Sequence, residues 1–517
     1  MTITVCVPRD SVAVALGADA VAAAVAAEAA ARGVDVRVKR TSSRGAYWLE
    51  PLVEVETAAG RVGYGPVAAA DVAGLMGALV AGGAHALSLG PVEAMDWLAR
   101  QERVTFRRAG VTDPLDLAEY EASGGLAGLR RALAMAPEAV CAEVAASGLR
   151  GRGGAGFPAG IKWETVRARP EAAKHVCCNA DEGDSGAFAD RMLMEGDPFQ
   201  LLEGMAIAGL ATGAETGWIY VRSEYPDAIA VLQEAVRRME AAGWLGADVG
   251  GSGRAFRVRV RRGAGAYICG EESAMLQSLE GRRGTVRAKP PIPAVSGLFG
   301  APTVVNNVLT LAAAAGVLAE GAEAYAARGV GRSRGTQPFT LGGNVARGGL
   351  VEAPFGVTLR ELIEGFGGGT ASGRPFKAAQ VGGPLGAYVN EGLLDLPADY
   401  EALAEAGAML GHGGIVVHDE TADMAELARF AFAFCAVESC GKCTPCRVGA
   451  VRGRETVEKV LRGEDVARNL ALIEDLCELM RDGSLCAMGG LTPMPVLSAL
   501  RLFPGEFDRA PARVAAE

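Results

Sequence analysis

Cys440, Cys443 and Cys446 follow one another at intervals of three in "ESCGKCTPCR". Thiolates at that spacing hold soft metals, and a four-iron cluster needs a fourth. Cys435 and Cys477 fall on apolar helical stripes, where cysteine is a small buried hydrophobe. Cys486 differs. It lies in "DGSLCAMGG", just past Gly483, and glycines on both sides let the backbone bend round a bulky group. The reading assigns Cys440, Cys443, Cys446 and Cys486 to one 4Fe–4S cluster. The alternative is a zinc knot on the same four thiolates. The chain has 11 cysteines, and more than half lie between Cys435 and Cys486. That distribution is too uneven for a secreted disulfide scaffold and fits metal binding in a reducing cytosol. The four histidines, His85, His175, His412 and His418, leave little for histidine-based metal or triad chemistry.

A second set of residues could hold a phosphate or a flat ring. "GRGGAGFPAGIKW" contains Gly151, Gly153, Gly154 and Gly156, with Arg152 and Lys162 adding charge and Phe157 able to stack. Glycine amides ahead of a helix N-terminus suit an anion. A dinucleotide loop should follow a strand, yet "PEAVCAEVAASGL" before this one reads as a helix, so a plain tight turn is the competing reading. "CCNADEGDSGAF" puts Asn179, Asp181, Glu182 and Asp184 directly after an apolar strand. "RRGAGAYICGEESAM" puts Glu271 and Glu272 at a helix start, where acidic residues also complement the helix dipole. "TVVNNVLT" offers Asn306, Asn307 and Thr310; asparagine pairs suit a ring edge, a phosphate or a turn. Each stretch is ambiguous alone. The last three are glycine-rich or polar ends of β segments, where open α/β sheets bind ligands, and with the glycine loop they point to one shared pocket.

The elements that must position these residues can be read from pattern. Residues 1–105 read as a β-α-β-β-β-α unit, a thioredoxin-like layer whose only cysteine, Cys6, leaves it without a cluster. In 106–335 strand and helix patterns alternate after a helical lead-in, as in an α/β sheet covered by helices. Residues 336–410 suggest a small mixed β domain around one helix. Residues 411–517 read as four helices, with the three-cysteine loop between the first and second. The 517 residues are half hydrophobic and include 71 glycines. A net charge of −10 without a long basic run argues against nucleic-acid binding. "MTITVCVPRD" lacks a basic n-region before an apolar stretch, and no uncharged run has the length of a membrane span, so neither a secretory leader nor direct membrane insertion is expected.

Taken together, "GLRGRGGAGFPAGIKW", "CNADEGDSGAF", "RGAGAYICGEESAM", "KPPIPAVSGL" and "ESCGKCTPCR…SLCAMGG" resemble the NADH- and FMN-binding flavoprotein subunit of respiratory complex I. The same module occurs in NAD-reducing hydrogenases and in cytosolic molybdenum- or tungsten-containing formate dehydrogenases. The N-terminal "SRGAYWLEPLVEVET" and "GRVGYGPV" look most like the beta (diaphorase) subunit of the formate dehydrogenases. The resemblance implies a Rossmann-like FMN domain, a ubiquitin-like β-grasp domain and a cluster-bearing four-helix bundle. It implies FMN contacts from Asn179, Asp181, Glu182, Tyr267, Gly270, Glu271, Glu272, Asn306, Asn307 and Thr310. NAD(H) would lie on the Gly151–Gly156 loop, with Phe157 near its rings and Lys162, Asp184 and Lys289 along its path. Glu182 and Asp184 would act on the reaction by positioning and tuning, and their charge should favour NAD over NADP. Ile292 stands where the complex I subunit usually has an aromatic, and Asp184 where a longer Glu is usual. The implied partners are a molybdopterin/Fe–S catalytic subunit and a small thioredoxin-like 2Fe–2S subunit, in the cytoplasm. Nicotinamide gives two electrons as hydride and a cluster takes one at a time, so a flavin must stand between them.

Overall fold

A computed structural model describes residues 2–509. Its first sheet has strands β1 (Ile3–Pro8), β2 (Val36–Thr41), β3 (Val53–Thr57), β4 (Gly60–Tyr64) and β5 (Ser88–Pro91) in the order β2-β1-β3-β4-β5. β1 and β2 are parallel and joined through the helix Ala18–Arg32, which ends on Gly33 in the left-handed region. The remaining pairings are antiparallel. β5 is an addition to the order expected from sequence. "SLGP" has neither alternation nor β-branched residues, and only pairing with β4 makes it a strand.

The second sheet is fully parallel: β6 (His175–Ala180), β7 (Thr216–Val221), β8 (Arg257–Arg262) and β9 (Thr303–Asn307), ordered β8-β7-β6-β9. The helix Pro198–Thr212 is buried along its whole length. It packs on the helix Val308–Glu320 against one face of this sheet, which explains why neither helix shows a polar stripe. β8 is the edge strand, so its alternate arginines reach solvent while Val258 is buried.

A short hairpin, β10 (Gly329–Val330) with β11 (Ser333–Arg334), leads into the third sheet. That sheet contains β12 (Thr336–Gly343), β13 (Gly349–Pro354), β14 (Phe376–Val381), β15 (Ala387–Val389) and β16 (Gly414–Asp419), ordered β13-β12-β16-β14-β15. β16 is its central strand, parallel to β12 and antiparallel to β14. The boundary expected at 410/411 therefore falls too early: "GIVVHD" is a two-sided core strand, and the helical region begins at Met424. Four long helices follow, Met424–Glu438, Thr444–Leu461, Val466–Gly483 and Pro493–Leu502, with the short Ala487–Leu491 before the last. Residues 510–517 of the expected helical segment lie outside the described residues. Thr492, just before Pro493, makes no side-chain cap for the last helix. It has helical geometry, and its hydroxyl donates to the Met488 carbonyl (2.6 Å). One apolar core runs from the other face of the parallel sheet (Cys177, Tyr220, Val305) into the helical bundle (Phe432, Val457, Ile473), so the bundle is fixed against the strand ends.

Candidate functional site

The C-terminal ends of β6 and β9 open into a cleft of two connected chambers. The inner chamber, about 330 Å³, is bounded by Asp181, Glu182, Asp184, Tyr267 and His412. The outer chamber, about 460 Å³, is bounded by Phe157, Lys162, Glu272, Lys289, Asn306 and Thr310. Gly153, Asn179, Gly270, Glu271 and Asn307 line both. The shared pocket inferred from separate sequence stretches is thus assembled in space.

Each wall has a local cause. The glycine loop is closed on itself by the Gly151 N–H donating to the Phe157 carbonyl (2.8 Å) and opens the helix Ala159–Arg167. A Cβ on Gly153 would stand 2.9 Å from Asn307 Cβ, so only glycine lets loop and strand end meet. Asn307 caps the helix Val308–Glu320, its Oδ1 accepting from the Leu309 N–H (2.9 Å). Glu271 caps Glu272–Leu279 in the same way, accepting from Ser273 and Ala274. Its other oxygen takes Lys289 Nζ at 2.8 Å, and Lys289 also reaches Glu272 at 2.7 Å. These two acids therefore stand at a helix start and line the cleft at the same time.

Lys162 Nζ donates to the Val305 carbonyl (2.8 Å); burial lowers its ammonium pKa, against the opposing charge of Glu272. Trp163 Nε1 donates to Asn306 Oδ1 (2.8 Å), which fixes the amide's other end as the donor. The Thr310 hydroxyl accepts the Arg152 N–H (2.8 Å). Deeper in, the Asn179 amide donates to the Gly270 carbonyl (2.8 Å), and Tyr267 Oη donates to Asp184 Oδ1 (2.6 Å). Burial, opposed by Arg222, pushes Asp181 up to about 7, and its Oδ2 has no protein donor. Glu182 accepts the N–H groups of Asp190 and Arg191 (2.9 and 3.0 Å) at a helix start, and burial raises its pKa.

Cys440, Cys443, Cys446 and Cys486 line one small cavity behind this cleft, together with Ile268, Lys442 and Met488. Cys443 and Cys446 sit at the start of the second bundle helix, and Cys486 just before the short Ala487–Leu491 helix. Cys435 and Ser439 hydrogen-bond to Cys446 Sγ and lower its thiol pKa. Cys435 and Cys477 are fully buried and outside the cavity, as their helical positions suggested. Cys486 also borders the outer chamber, and Ile268 and Met488 border the inner one. The cysteine cavity and the cleft are separated by a wall one residue thick. The bundle is tied to that wall: Glu438 accepts the Tyr267 N–H (3.0 Å), Lys442 Nζ donates to the Val286 carbonyl (2.8 Å), and Phe434 packs edge-on against Tyr267.

Residues 144–315 match the Nuo51 FMN-binding domain, and residues 426–510 match the iron–sulfur binding region of NADH-ubiquinone oxidoreductase-F. The chain is 43% identical to the NADP-reducing hydrogenase subunit HndC of Solidesulfovibrio fructosivorans, over 79% of this chain and 83% of that one. It is 44% identical to the NADH-quinone oxidoreductase F 2 subunit of Rhizobium meliloti, over 78% and 97%. Among solved structures it resembles the NAD+-reducing [NiFe]-hydrogenase in the air-oxidized state: TM-score 0.70, 29% identity, covering 99% of this chain and 86% of that one.

The chain belongs to the NADH-binding flavoprotein subunits of the complex I type.

This flavoprotein subunit is an oxidoreductase component with an FMN-binding domain and a 4Fe–4S binding region. Its residues fit both groups. The unpartnered Asp181 oxygen could take the imide N–H of an isoalloxazine in the inner chamber. Lys162, the Asn306 amide and the glycine-loop amides could hold a phosphate in the outer one. Four thiolates without any histidine suit iron and sulfide. Arg152 departs from expectation. Its guanidinium is buried away from the cleft on Tyr325 Oη and the Arg334 carbonyl and over the Phe355 ring, so the side chain braces the loop instead of lining it. Phe157 and Ile292, both about half exposed, line the outer chamber.

Sequence reasoning passed over part of the inner chamber. Asp190 comes from the helix Ala189–Gly196, and Gly382, Leu385, Met409 and His412 come from the third sheet and its loops. Only one signal was available: a lone histidine between glycines in "GHGG", just before a core strand.

Proposed function

We propose that the chain is the diaphorase subunit of a cytoplasmic NAD-dependent formate dehydrogenase, relaying electrons between NAD(H) and a 4Fe–4S cluster through FMN. The observation that carries the relay is the shared wall: Cys486, Ile268 and Met488 face the cleft on one side and the cysteine cavity on the other. FMN, when bound, accepts an electron pair as hydride and releases it singly. The protein's part is to bind and orient. Asn179, Asp181 and Tyr267 would orient the ring, and Lys162, Asn306 and Thr310 the phosphate. Phe157 and Lys289 would guide the dinucleotide at the mouth. Asp184, held by Tyr267, would keep negative charge beside the dinucleotide path.

The choice of formate dehydrogenase rests on the N-terminal stretches "SRGAYWLEPLVEVET" and "GRVGYGPV", in a unit whose single cysteine, Cys6, is too few to hold a cluster. Its partners would be a molybdopterin/Fe–S catalytic subunit and a small thioredoxin-like 2Fe–2S subunit. A place in complex I or a hydrogenase is the second reading, favoured by the names of its relatives. No described helix is long and apolar enough to cross a membrane, which agrees with a peripheral subunit in either case. Anaerobic NADH should bleach a yellow protein and raise the electron paramagnetic signal of a reduced cluster. A colourless, zinc-loaded protein would refute the relay. Copurification with quinone-linked subunits instead of a molybdopterin subunit would refute the formate assignment alone.

A further inference from the structure

The inner chamber ends on a buried imidazole, His412, carried on the turn that leads into β16. Its Nε2 lies 3.1 Å from Asp190 Oδ1 and its Nδ1 3.6 Å from Glu182 Oε1. Asn307 has its Oδ1 committed to the helix cap, so its NH2 faces Asp190 Oδ2 (2.6 Å) and His412 Nε2 (3.2 Å). The Asn307 NH2 makes its shorter contact with Asp190, which leaves Nε2 to donate to Asp190 Oδ1; Glu182 is too far from Nδ1 for a hydrogen bond, but its charge favours a proton there as well. Asp184, with its Tyr267 hydroxyl partner, adds a third carboxylate nearby. Burial opposes the charged ring, but Asp190, then Glu182 and Asp184, outweigh it and raise His412 to about 10. Nδ1 is buried without a hydrogen-bond partner, and the ring that carries it borders the chamber. Glu182, Asp190 and His412 are close enough together to bind a cation. However, both Glu182 oxygens already accept backbone N–H groups, and Asp190 already holds Asn307.

We propose that His412 is a positioning residue for the flavin: a protonated imidazole whose Nδ1–H donates to the ring edge and whose charge favours the reduced, electron-rich cofactor over the oxidised one. The proposal rests on the inner chamber being the seat of that ring. An electron-rich ring in a low-dielectric site is stabilised by a fixed cation more than an oxidised ring is.

The test compares FMN-loaded wild-type protein with His412→Gln, which keeps an N–H donor and removes the charge. The readouts are the affinity for oxidised FMN and the midpoint potential of the bound FMN. Oxidised FMN should still bind H412Q within about threefold, a difference under 1 kcal/mol. The preference for the reduced form should fall about tenfold, a lowering of roughly 30 mV for a two-electron couple. An unchanged potential with flavin bound would overturn the role of His412 and leave the relay standing. A wild-type protein that takes up no FMN would overturn both. If H412Q does not fold, 15N-histidine labelling of the wild type provides the second measurement. One of the four histidines should have both nitrogens protonated near neutral pH, with an Nδ1 resonance that moves when FMN is removed. A neutral imidazole in the loaded protein, or a stoichiometric divalent cation bound there, would sink the proposal.

Discussion

At the scale of residues, identical side chains have separate tasks because of what surrounds them. Cys486 and Cys477 are both in the bundle, yet one lines the cysteine cavity and the other is sealed in the core. Cys486→Ser should lose the four-iron signal in iron analysis and low-temperature spectra, while Cys477→Ala should keep a full iron complement. The carboxylates divide in the same way. Glu182 is spent on backbone amides and lies beside His412, so its charge is largely offset. The expected preference for NAD over NADP therefore falls to Asp184. NADPH should reduce the flavin roughly tenfold more slowly than NADH, the discrimination that about 1.4 kcal/mol of repulsion supplies. Asp184→Asn should narrow that ratio in stopped-flow reduction, and equal rates in the wild type would exclude the electrostatic argument.

At the scale of elements, the cleft depends on meetings between a loop, strand ends and helix starts. The glycine loop approaches β9 so closely that Gly153→Val should lower the FMN content of the purified protein several-fold, read by flavin absorbance per polypeptide. The loss follows from clash with Asn307, with only roughly 1–3 kcal/mol needed to displace the loop. The joint between the first sheet and the FMN-binding region is also built at helix ends. Glu195, from the helix Ala189–Gly196, accepts the Ser11 N–H (2.8 Å). Burial, opposed by that hydrogen bond and Arg191, raises Glu195 from 4.5 to about 7. The folded chain therefore holds this proton more tightly than the unfolded chain. Its contribution to stability is complete below 4.5 and declines as pH rises toward 7. Glu195→Gln should flatten the fall of Tm across that window, and an unchanged slope would mean the carboxyl is ionised throughout.

At the scale of the whole molecule, three regions far apart in sequence surround one cleft. The parallel sheet supplies its floor, the third sheet supplies His412, and the bundle supplies the wall with Cys486. The apolar core that runs from β6, β7 and β9 into the bundle keeps that wall thin and in place. Disturbing the tie between them should uncouple the two halves. Glu438→Ala, which removes the acceptor of the Tyr267 N–H, should leave flavin bleaching by NADH intact and slow the appearance of the reduced-cluster signal. If both steps keep their rates, the tie is structural only.

The local chemistry of this protein was set by its sequence: the four thiolates, the glycine loop, the acidic strand ends and the helix caps. Spacing, capping and periodicity depend on near neighbours in the chain and can be read there. The position of β16 and the fifth strand of the first sheet could not be read, because pairing across a sheet joins segments with no local signature. The same reason hid His412 and turned Arg152 inward. Whether a side chain lines a cavity or braces its back is decided by which distant elements pack against it, and only the tertiary structure brings those together.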